Sequence, residues 1–128
     1  MTDYYVRKTG NDANAGTSPA AAWLTIDHAA NNVSAGDNVY IGAGTYRESI
    51  TMDTNGSDGN VISYIGDIDG SQTGDAGHVI VTAHDSETAS PTRNECINMN
   101  GKTFVTIRNI SLLSGSLIPL NDTATGNK

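Results

Sequence analysis

Short apolar clusters alternate with Gly, Asn and Asp along most of the chain, a pattern typical of β-strands joined by turns. Residues 3–8 predict a first strand, and the turn-forming residues 9–19 predict a loop. Beyond residue 36 the clusters predict further strands and no second helix. The predicted strands cover residues 38–41, 49–52, 61–65, 79–83, 96–100 and 104–113.

One segment has helical rather than strand periodicity. Thr25 stands where a helix N-cap is expected, and Gly36 lies just beyond the last apolar position. The sequence therefore predicts one short amphipathic helix over residues 25–34. Its apolar positions, spaced near i, i+3, i+4 and i+7, are Leu24, Ile26, Ala29, Ala30 and Val33.

Similar strand openings recur at residues 38, 60 and 78, at intervals of 22 and 18 residues. These intervals lie near the period of a solenoid, in which stacked coils build a thin core while corners and outer faces stay polar. The asparagines Asn98, Asn100 and Asn109 either form a hydrogen-bonded ladder in such a stack or occupy turns.

Composition strengthens the β prediction. Ser, Thr, Asn, Asp and Gly make up half of the 128 residues, whereas only 16% of residues are charged. The low charged fraction and the clustered β-branched residues argue against disorder, and the pattern excludes a helical bundle. A chain of this length fits one domain.

Net charge limits the partners. The formal charge is −7, and the seven basic residues are scattered rather than clustered. Nucleic-acid binding requires clustered Lys and Arg, so we expect no nucleic-acid partner and no anionic membrane. The basic residues are Arg7, Lys8, Arg47, Arg93, Lys102, Arg108 and Lys128.

The single cysteine, Cys96, excludes an intrachain disulfide and is expected to be a small core residue. No run approaches the roughly 20 apolar residues of a membrane span. The amino-terminal residues lack the apolar centre of a signal peptide, which predicts a chain that is not exported by a cleaved signal.

Several runs near the amino terminus together carry a family resemblance. They are Tyr4-Tyr5-Val6-Arg7-Lys8-Thr9-Gly10-Asn11-Asp12, Gly16-Thr17-Ser18, Ala22-Trp23-Leu24-Thr25-Ile26, Ala29-Ala30, Gly36-Asp37-Asn38-Val39-Tyr40-Ile41 and Gly44-Thr45-Tyr46-Arg47-Glu48. These runs resemble the start of right-handed parallel β-helix proteins of the pectate-lyase-like kind. That family includes chondroitinase-B-like polysaccharide lyases and bacteriophage tail-spike and virion proteins.

The resemblance implies an all-β fold, a right-handed parallel β-helix of a few coils with a short amino-terminal capping helix. Trp23 and Leu24 precede that helix, Gly42 and Gly44 bracket a tight bend, and Tyr46 packs back onto it. We expect residues 1–36 to form the strand, loop and capping helix, 37–115 the coils, and 116–128 a polar tail or the start of a further coil. The carboxyl-terminal coil is expected to be uncapped, so that either a longer chain or another subunit covers it.

Acidic residues provide weak candidates for a structural calcium ion. Asp67, Asp69 and Asp75 suggest a calcium loop, but the position where an EF-hand carries Glu is His78, so turn formation is the stronger interpretation. The same holds for Asp53, Asn55, Asp58, Asn60, Asp12 and Asn14. No other cofactor is predicted.

No catalytic constellation emerges from the residues. His84, Asp85 and Glu87 are sequence neighbours, whereas a triad is assembled in space. Arg108 and Lys102 either contact an acidic glycan or neutralise nearby carboxylates. Five Tyr, one Trp and one Phe are few for a sugar-binding groove, and most lie in the capping region. Catalytic groups of the resembling enzymes lie on later coils, and nothing here matches them.

These observations favour a non-enzymatic structural or adhesion component of a phage virion, such as a tail, spike, fibre or capsid-surface protein. Its expected partners are other virion subunits or further copies, including a homotrimer, and a cell-surface glycan; lysis would bring it outside the cell. The alternatives are the amino-terminal portion of a secreted polysaccharide lyase or glycoside hydrolase, and a fragment of a bacterial surface adhesin.

Overall fold

The computed structural model describes residues 1–84 and 95–113, and these are mostly β-structure. A 3-10 turn at Pro19–Ala21 and the helix α1, Ile26–Asn32, interrupt the strands. The strands are β1 Asp3–Val6, β2 Asn38–Ile41, β3 Gly44–Arg47, β4 Ile50–Thr51, β5 Ile62–Gly66, β6 Val79–Thr82, β7 Ile97–Asn98, β8 Val105–Arg108 and β9 Ile110–Leu113.

Within residues 1–84 and 95–113 the strands form three sheets, and all their strand pairings are parallel. The first sheet has the order β1-β2-β5-β8, the second β3-β6-β9 and the third β4-β7. From β2 onward, successive strands visit the first, second and third sheets repeatedly in that order. The prediction of an all-β chain is confirmed at this level, with one α-helix in the described residues.

Alternating side chains of each strand build the core between the sheets. In the first sheet Tyr4, Val39, Tyr64 and Ile107 lie in register, and Val39 and Tyr64 are buried. In the second sheet Tyr46 and Val81 are paired and fully buried. The residues between these positions face outward, so each sheet presents a polar or mixed outer surface.

Two corners differ from the sequence-based prediction. The predicted strand over 104–113 is two strands, because Asn109 adopts a left-handed conformation with φ 58° and turns the chain. Strand β3 was not predicted, since its flanking glycines indicated only a bend. The predicted packing of Tyr46 is confirmed: its hydroxyl donates to the Gly42 carbonyl at 2.8 Å.

Asparagines at the corners act in turns, the second of the two predicted roles. Asn98 Oδ1 accepts a bond from the Asn100 backbone N–H at 2.8 Å. Asn100 also has positive φ, and its side chain donates to the Met52 carbonyl at 3.3 Å. The Asn109 amide donates to the Gly66 carbonyl at 3.4 Å. The side chains of Asn100 and Asn109 thus bond backbone carbonyls on neighbouring segments, whereas that of Asn98 bonds within its own turn.

The amino-terminal elements cover the start of the stack. Thr25 caps α1 by accepting a bond from the His28 backbone N–H, as its position predicted. The Trp23 ring stacks on Tyr4 with centroids 4.7 Å apart, and its indole N–H donates to the Asn14 carbonyl at 2.8 Å. Trp23 is buried, whereas Leu24 is exposed.

Some of the sequence-based predictions concern residues that the structure does not describe. The tail at 116–128, Asp85 and Glu87 lie outside the described residues. The proposed division into cap, coils and tail stays a prediction. Within residues 1–84 and 95–113, the helices are far too short to cross a bilayer.

Candidate functional site

A row of outward-facing residues crosses the first sheet. Tyr5, Tyr40, Ile65 and Arg108 are in register on β1, β2, β5 and β8, and we call them the Tyr40 row. Each lies beside an inward-facing core residue, so strand alternation directs all four side chains to the outer face. The row thus combines two aromatic rings, one aliphatic side chain and one cation.

The two tyrosines stack along the row. Their ring centroids are 5.8 Å apart with an interplanar angle of 29°. Adjacent strands are about 4.8 Å apart, so in-register rings stack face to face. Since Tyr5 covers one face of the Tyr40 ring, the other face is turned along the row toward Ile65. Burial, followed by the charge of Asp3, raises the pKa of Tyr40, so its hydroxyl is neutral at physiological pH.

Beyond Tyr40 and Ile65 the surface opens into a cavity of about 350 Å³, which we call the Tyr40 cavity. Its volume lies at the lower end of the range of about 300–1,000 Å³ that small-molecule sites occupy. An apolar floor and a polar wall meet there. The lining residues are Tyr40, Ile65, Gly66, Asp67, Ile68, Asp69, Ser71, Gln72 and Asn109.

Asp67 fixes the loop that forms the polar wall. Its buried carboxylate accepts bonds from the Gln72 and Thr73 backbone N–H groups, at 3.0 and 2.6 Å, and from the Thr73 hydroxyl at 2.7 Å. Gly70, with φ 73°, provides the left-handed turn inside the loop. The wall of the Tyr40 cavity is therefore held by internal bonds before any ligand arrives.

A second anchor ties the far end of this loop to the amino terminus. The Arg7 guanidinium donates two bonds to the Asp75 carboxylate, at 2.7 and 2.9 Å, and a third to the Pro19 carbonyl at 3.0 Å. The bond from Arg7 holds the pKa of Asp75 below its usual value. One arginine thus joins β1, the 3-10 turn and the loop between β5 and β6.

The structure gives the three calcium candidates separate roles. Asp67 organises the loop, Asp75 pairs with Arg7, and the exposed Asp69 accepts a bond from the Ser71 backbone N–H at 3.0 Å. That bond lowers the pKa of Asp69. No group of three potential metal ligands is found in the described part of the chain. Turn formation accounts for Asp67 and Asp69, and a calcium site stays a prediction.

The carboxylates of Asp27 and Glu48 also lie near each other, where α1 packs on β4. Glu48 accepts a bond from the Asp27 backbone N–H at 2.7 Å, and Asp27 accepts one from the Thr51 backbone N–H at 2.9 Å. Burial is the main cause that raises the pKa of Glu48. Both carboxylates hold the helix on the strand, which explains their proximity without catalysis.

Other predicted residues have structural surroundings. Cys96 is buried, as expected, and burial raises the pKa of its thiol. His28 contacts the edge of the Trp23 ring at a centroid distance of 5.1 Å. Arg108 is exposed on the Tyr40 row, and neither it nor Lys102 forms an ion pair within the described residues.

Sequence reasoning placed Tyr5 and Tyr40 in the cap and missed their common outer surface. A signal was present: in Tyr4-Tyr5-Val6 and Val39-Tyr40-Ile41 the middle residue alternates with residues that face the core. The register between the two runs, which are 35 residues apart, is what brings the rings together.

Comparison with known proteins gives neither a family model nor a curated protein that matches this chain. Solved structures do match. The XylC protein in its complex with xylose is 32% identical over 64% of this chain, which corresponds to 12% of that chain, with a TM-score of 0.54. A rhamnogalacturonan lyase is 21% identical over 88% of this chain and 28% of its own, with a TM-score of 0.60.

A third structure, the GH136 lacto-N-biosidase of Eubacterium ramulus, is 17% identical over 91% of this chain and 21% of that chain, with a TM-score of 0.66. The chain is therefore similar in fold to β-rich, carbohydrate-active proteins. It spans less than a third of the length of each of these three.

Proposed function

We propose that this chain is the amino-terminal part of a carbohydrate-active protein built as a right-handed parallel β-helix. The repeated visits to three parallel sheets support the helical path, because each circuit adds one strand to each sheet. Similarity to proteins named for a lyase, a lacto-N-biosidase and a xylose complex supports the link to carbohydrates.

In this proposal the segment has two roles, to close the start of the stack and to contact glycan on its outer surface. The stacked Trp23 and Tyr4 rings support the first role, since they cover an end that would otherwise expose strand edges. The second role rests on one observation, the Tyr5–Tyr40 pair beside the Tyr40 cavity. Aromatic rings next to convergent polar groups are typical of small-molecule sites.

We assign binding rather than cleavage to this segment. Glycosidases need two carboxyl groups that flank the scissile bond. The carboxylates of Asp27 and Glu48 instead accept backbone bonds between α1 and residues 48–51, and those of Asp67 and Asp69 at the Tyr40 cavity accept bonds within their own loop. Catalysis, in this proposal, belongs to other parts of the carbohydrate-active protein.

The virion role receives no support from the comparisons, because none of the three similar structures is described as a virion component. The homotrimer, the virion partners and release by lysis stay predictions. A glycan-binding adhesin would share the same surface, so the first question is whether the chain binds polysaccharide at all.

Affinity electrophoresis in native gels tests this directly. The chain is run in gels that contain rhamnogalacturonan, arabinoxylan or no polysaccharide, beside an acidic protein of similar net charge as the control. We expect retardation of the chain, but not of the control, by at least one polysaccharide. Equal mobility in all gels would reject the binding of polysaccharide by this chain. Release of reducing ends or of unsaturated sugars by the chain would reject the assignment of binding without cleavage.

A further inference from the structure

The Tyr40 cavity has a specific division between apolar and polar surface. The Tyr40 ring and the Ile65 and Ile68 side chains provide the apolar part. Ser71 and Gln72 are exposed lining residues with polar side chains, and Asn109 also lines the cavity. A pyranose has matching chemistry, because its C–H face is apolar and its rim carries hydroxyl groups that both donate and accept.

Charge distinguishes among sugars. The carboxylates of Asp67 and Asp69 line the cavity, whereas Arg108 is not a lining residue; it acts electrostatically on Tyr40 but is one cation against two carboxylates. The Oδ2 atom of Asp67 accepts hydrogen bonds from Gln72 and Thr73, but the negative charge of the carboxylate remains close to the cavity. The whole chain carries a formal charge of −7. An anionic sugar would therefore meet like charge, whereas a neutral sugar would not.

We propose that the Tyr40 cavity binds a single neutral pyranose unit of a glycan, with the apolar face of the sugar packed against Tyr40 and Ile65 and its hydroxyls bonded to the Asp69–Gln72 loop. The inference rests on the proposed function and adds to it the place on the molecule and the charge class of the ligand. The loop is internally bonded through Asp67, so the site requires little rearrangement to receive the sugar.

Matched sugar pairs test both parts of the inference. Methyl β-D-glucopyranoside is compared with methyl β-D-glucuronide, and methyl β-D-galactopyranoside with its galacturonide, because each pair differs only at C6. Amide chemical shifts of the isotopically labelled chain are followed during titration. We expect saturable shifts at Gly66, Asp67–Gln72 and Asn109 with a neutral glycoside, a dissociation constant on the order of millimolar, and weaker binding of its acidic counterpart.

Two variants assign the shifts to the cavity. Tyr40→Ala removes the aromatic ring that lines the cavity and should weaken binding about three- to tenfold. Thr106→Ala is the control, because Thr106 faces outward on β8 but lies outside the Tyr40 row, and it should leave binding unchanged. The dispersion of the amide spectrum verifies that each variant is folded.

Three results would overturn the inference. They are the absence of saturable shifts around the cavity, tighter binding of the acidic sugars, and shifts at the same amides that follow protein concentration without sugar, which would assign the surface to a second copy. The gel experiment distinguishes failure of the Tyr40 cavity as the site from failure of the proposed function. If Tyr40→Ala is retarded like the unmodified chain, the chain binds glycan at another site and the inference about the cavity fails. If no polysaccharide retards the chain but a glycoside saturates the cavity, only the proposed binding of polysaccharide fails.

Discussion

The buried hydroxyl of Tyr46 offers a sharp test of how the corner between β2 and β3 is held. Its side chain is fully buried, and its hydroxyl donates to the Gly42 carbonyl at 2.8 Å. Tyr46→Phe removes the hydroxyl donor and leaves the Gly42 carbonyl without this hydrogen bond. It keeps the aromatic ring, whose centroid lies 4.7 Å from the Lys8 ammonium nitrogen. The expected loss is about 1–3 kcal/mol of unfolding free energy, or roughly 3–10 °C in Tm.

The pH dependence of the same variant provides a second, independent signature. Burial raises the pKa of Tyr46 far above its ordinary value of 10.0. Above about pH 10 the Tyr46 phenol of the unfolded chain loses its proton, whereas that of the folded chain keeps it. The stability that the buried neutral phenol contributes is therefore fully present below about pH 10 and falls as the pH rises further. The slope is about −1.4 kcal/mol per pH unit for this group. The stability gap between the original chain and Tyr46→Phe should therefore narrow above about pH 10.

Urea unfolding followed by circular dichroism and Trp fluorescence measures both effects, at pH 8 and at steps between pH 9.5 and 11.5. Tyr5→Phe is the control, because Tyr5 lies on the outer face, and it should change stability by less than about 0.5 kcal/mol. Equal urea midpoints for Tyr46→Phe and the original chain at pH 8 would refute the role of the hydroxyl. A gap that stays constant above pH 10 would refute the buried, neutral phenol.

Three further outcomes are expected. Gly66→Ala should cost more than about 2 kcal/mol in urea unfolding, because the new Cβ would overlap the Asn109 carbonyl oxygen. The variants Arg7→Ala and Asp75→Ala and the double variant form a double-mutant cycle, which should give a coupling free energy of about 1 kcal/mol at pH 7, since the ion pair is bidentate but partly exposed. Because Arg7 lowers the pKa of Asp75, this coupling is present above about pH 4 and is lost as the pH falls further. The Cys96 thiol should react with a disulfide reagent roughly 100-fold more slowly in buffer than in urea, because it is buried.

Each outcome has a control or an opposing result. Gly59→Ala tests the effect of positive φ without a clash, because nothing lies near its new Cβ, and should cost only about 1–2 kcal/mol; equal losses at Gly59 and Gly66 would contradict the close approach of the two corners. A coupling between Arg7 and Asp75 that persists at pH 2 would contradict a charged pair. Equal labelling rates of Cys96 in both solvents would contradict its burial.

Local patterns were sufficient for the capping helix and most strands. Thr25 and the apolar spacing predicted α1 because a helix start depends on residues within one turn. Strand β3 was missed because the two glycines around Ala43 indicate a bend whether or not a strand follows. The single strand predicted over 104–113 was wrong because one left-handed residue, Asn109, divides an apolar pattern that is continuous in sequence.

The candidate site could not be found from local patterns, because its residues are brought together by register. Tyr5 and Tyr40 are 35 residues apart, and the next strand of the first sheet, which supplies Ile65, follows a circuit of different length. A shift of one residue in either pairing would turn the aromatic rings into the core and core residues outward. Alternation along each strand shows that a side chain faces outward, but only the pairings show which side chains become neighbours.

The corners that set this register also limit how the site can vary. Gly66 ends the strand that supplies Ile65, and the Asn109 backbone lies so close to it that a Cβ has no room. The Asn109 amide bonds the Gly66 carbonyl, and Asn109 follows directly after Arg108 in the Tyr40 row. A change at this contact would therefore shift the floor of the Tyr40 cavity together with the end of the row. Ser71 and Gln72 are exposed and can be exchanged without touching the core, so selectivity among neutral sugars can change at the wall while the two corners keep the floor in place.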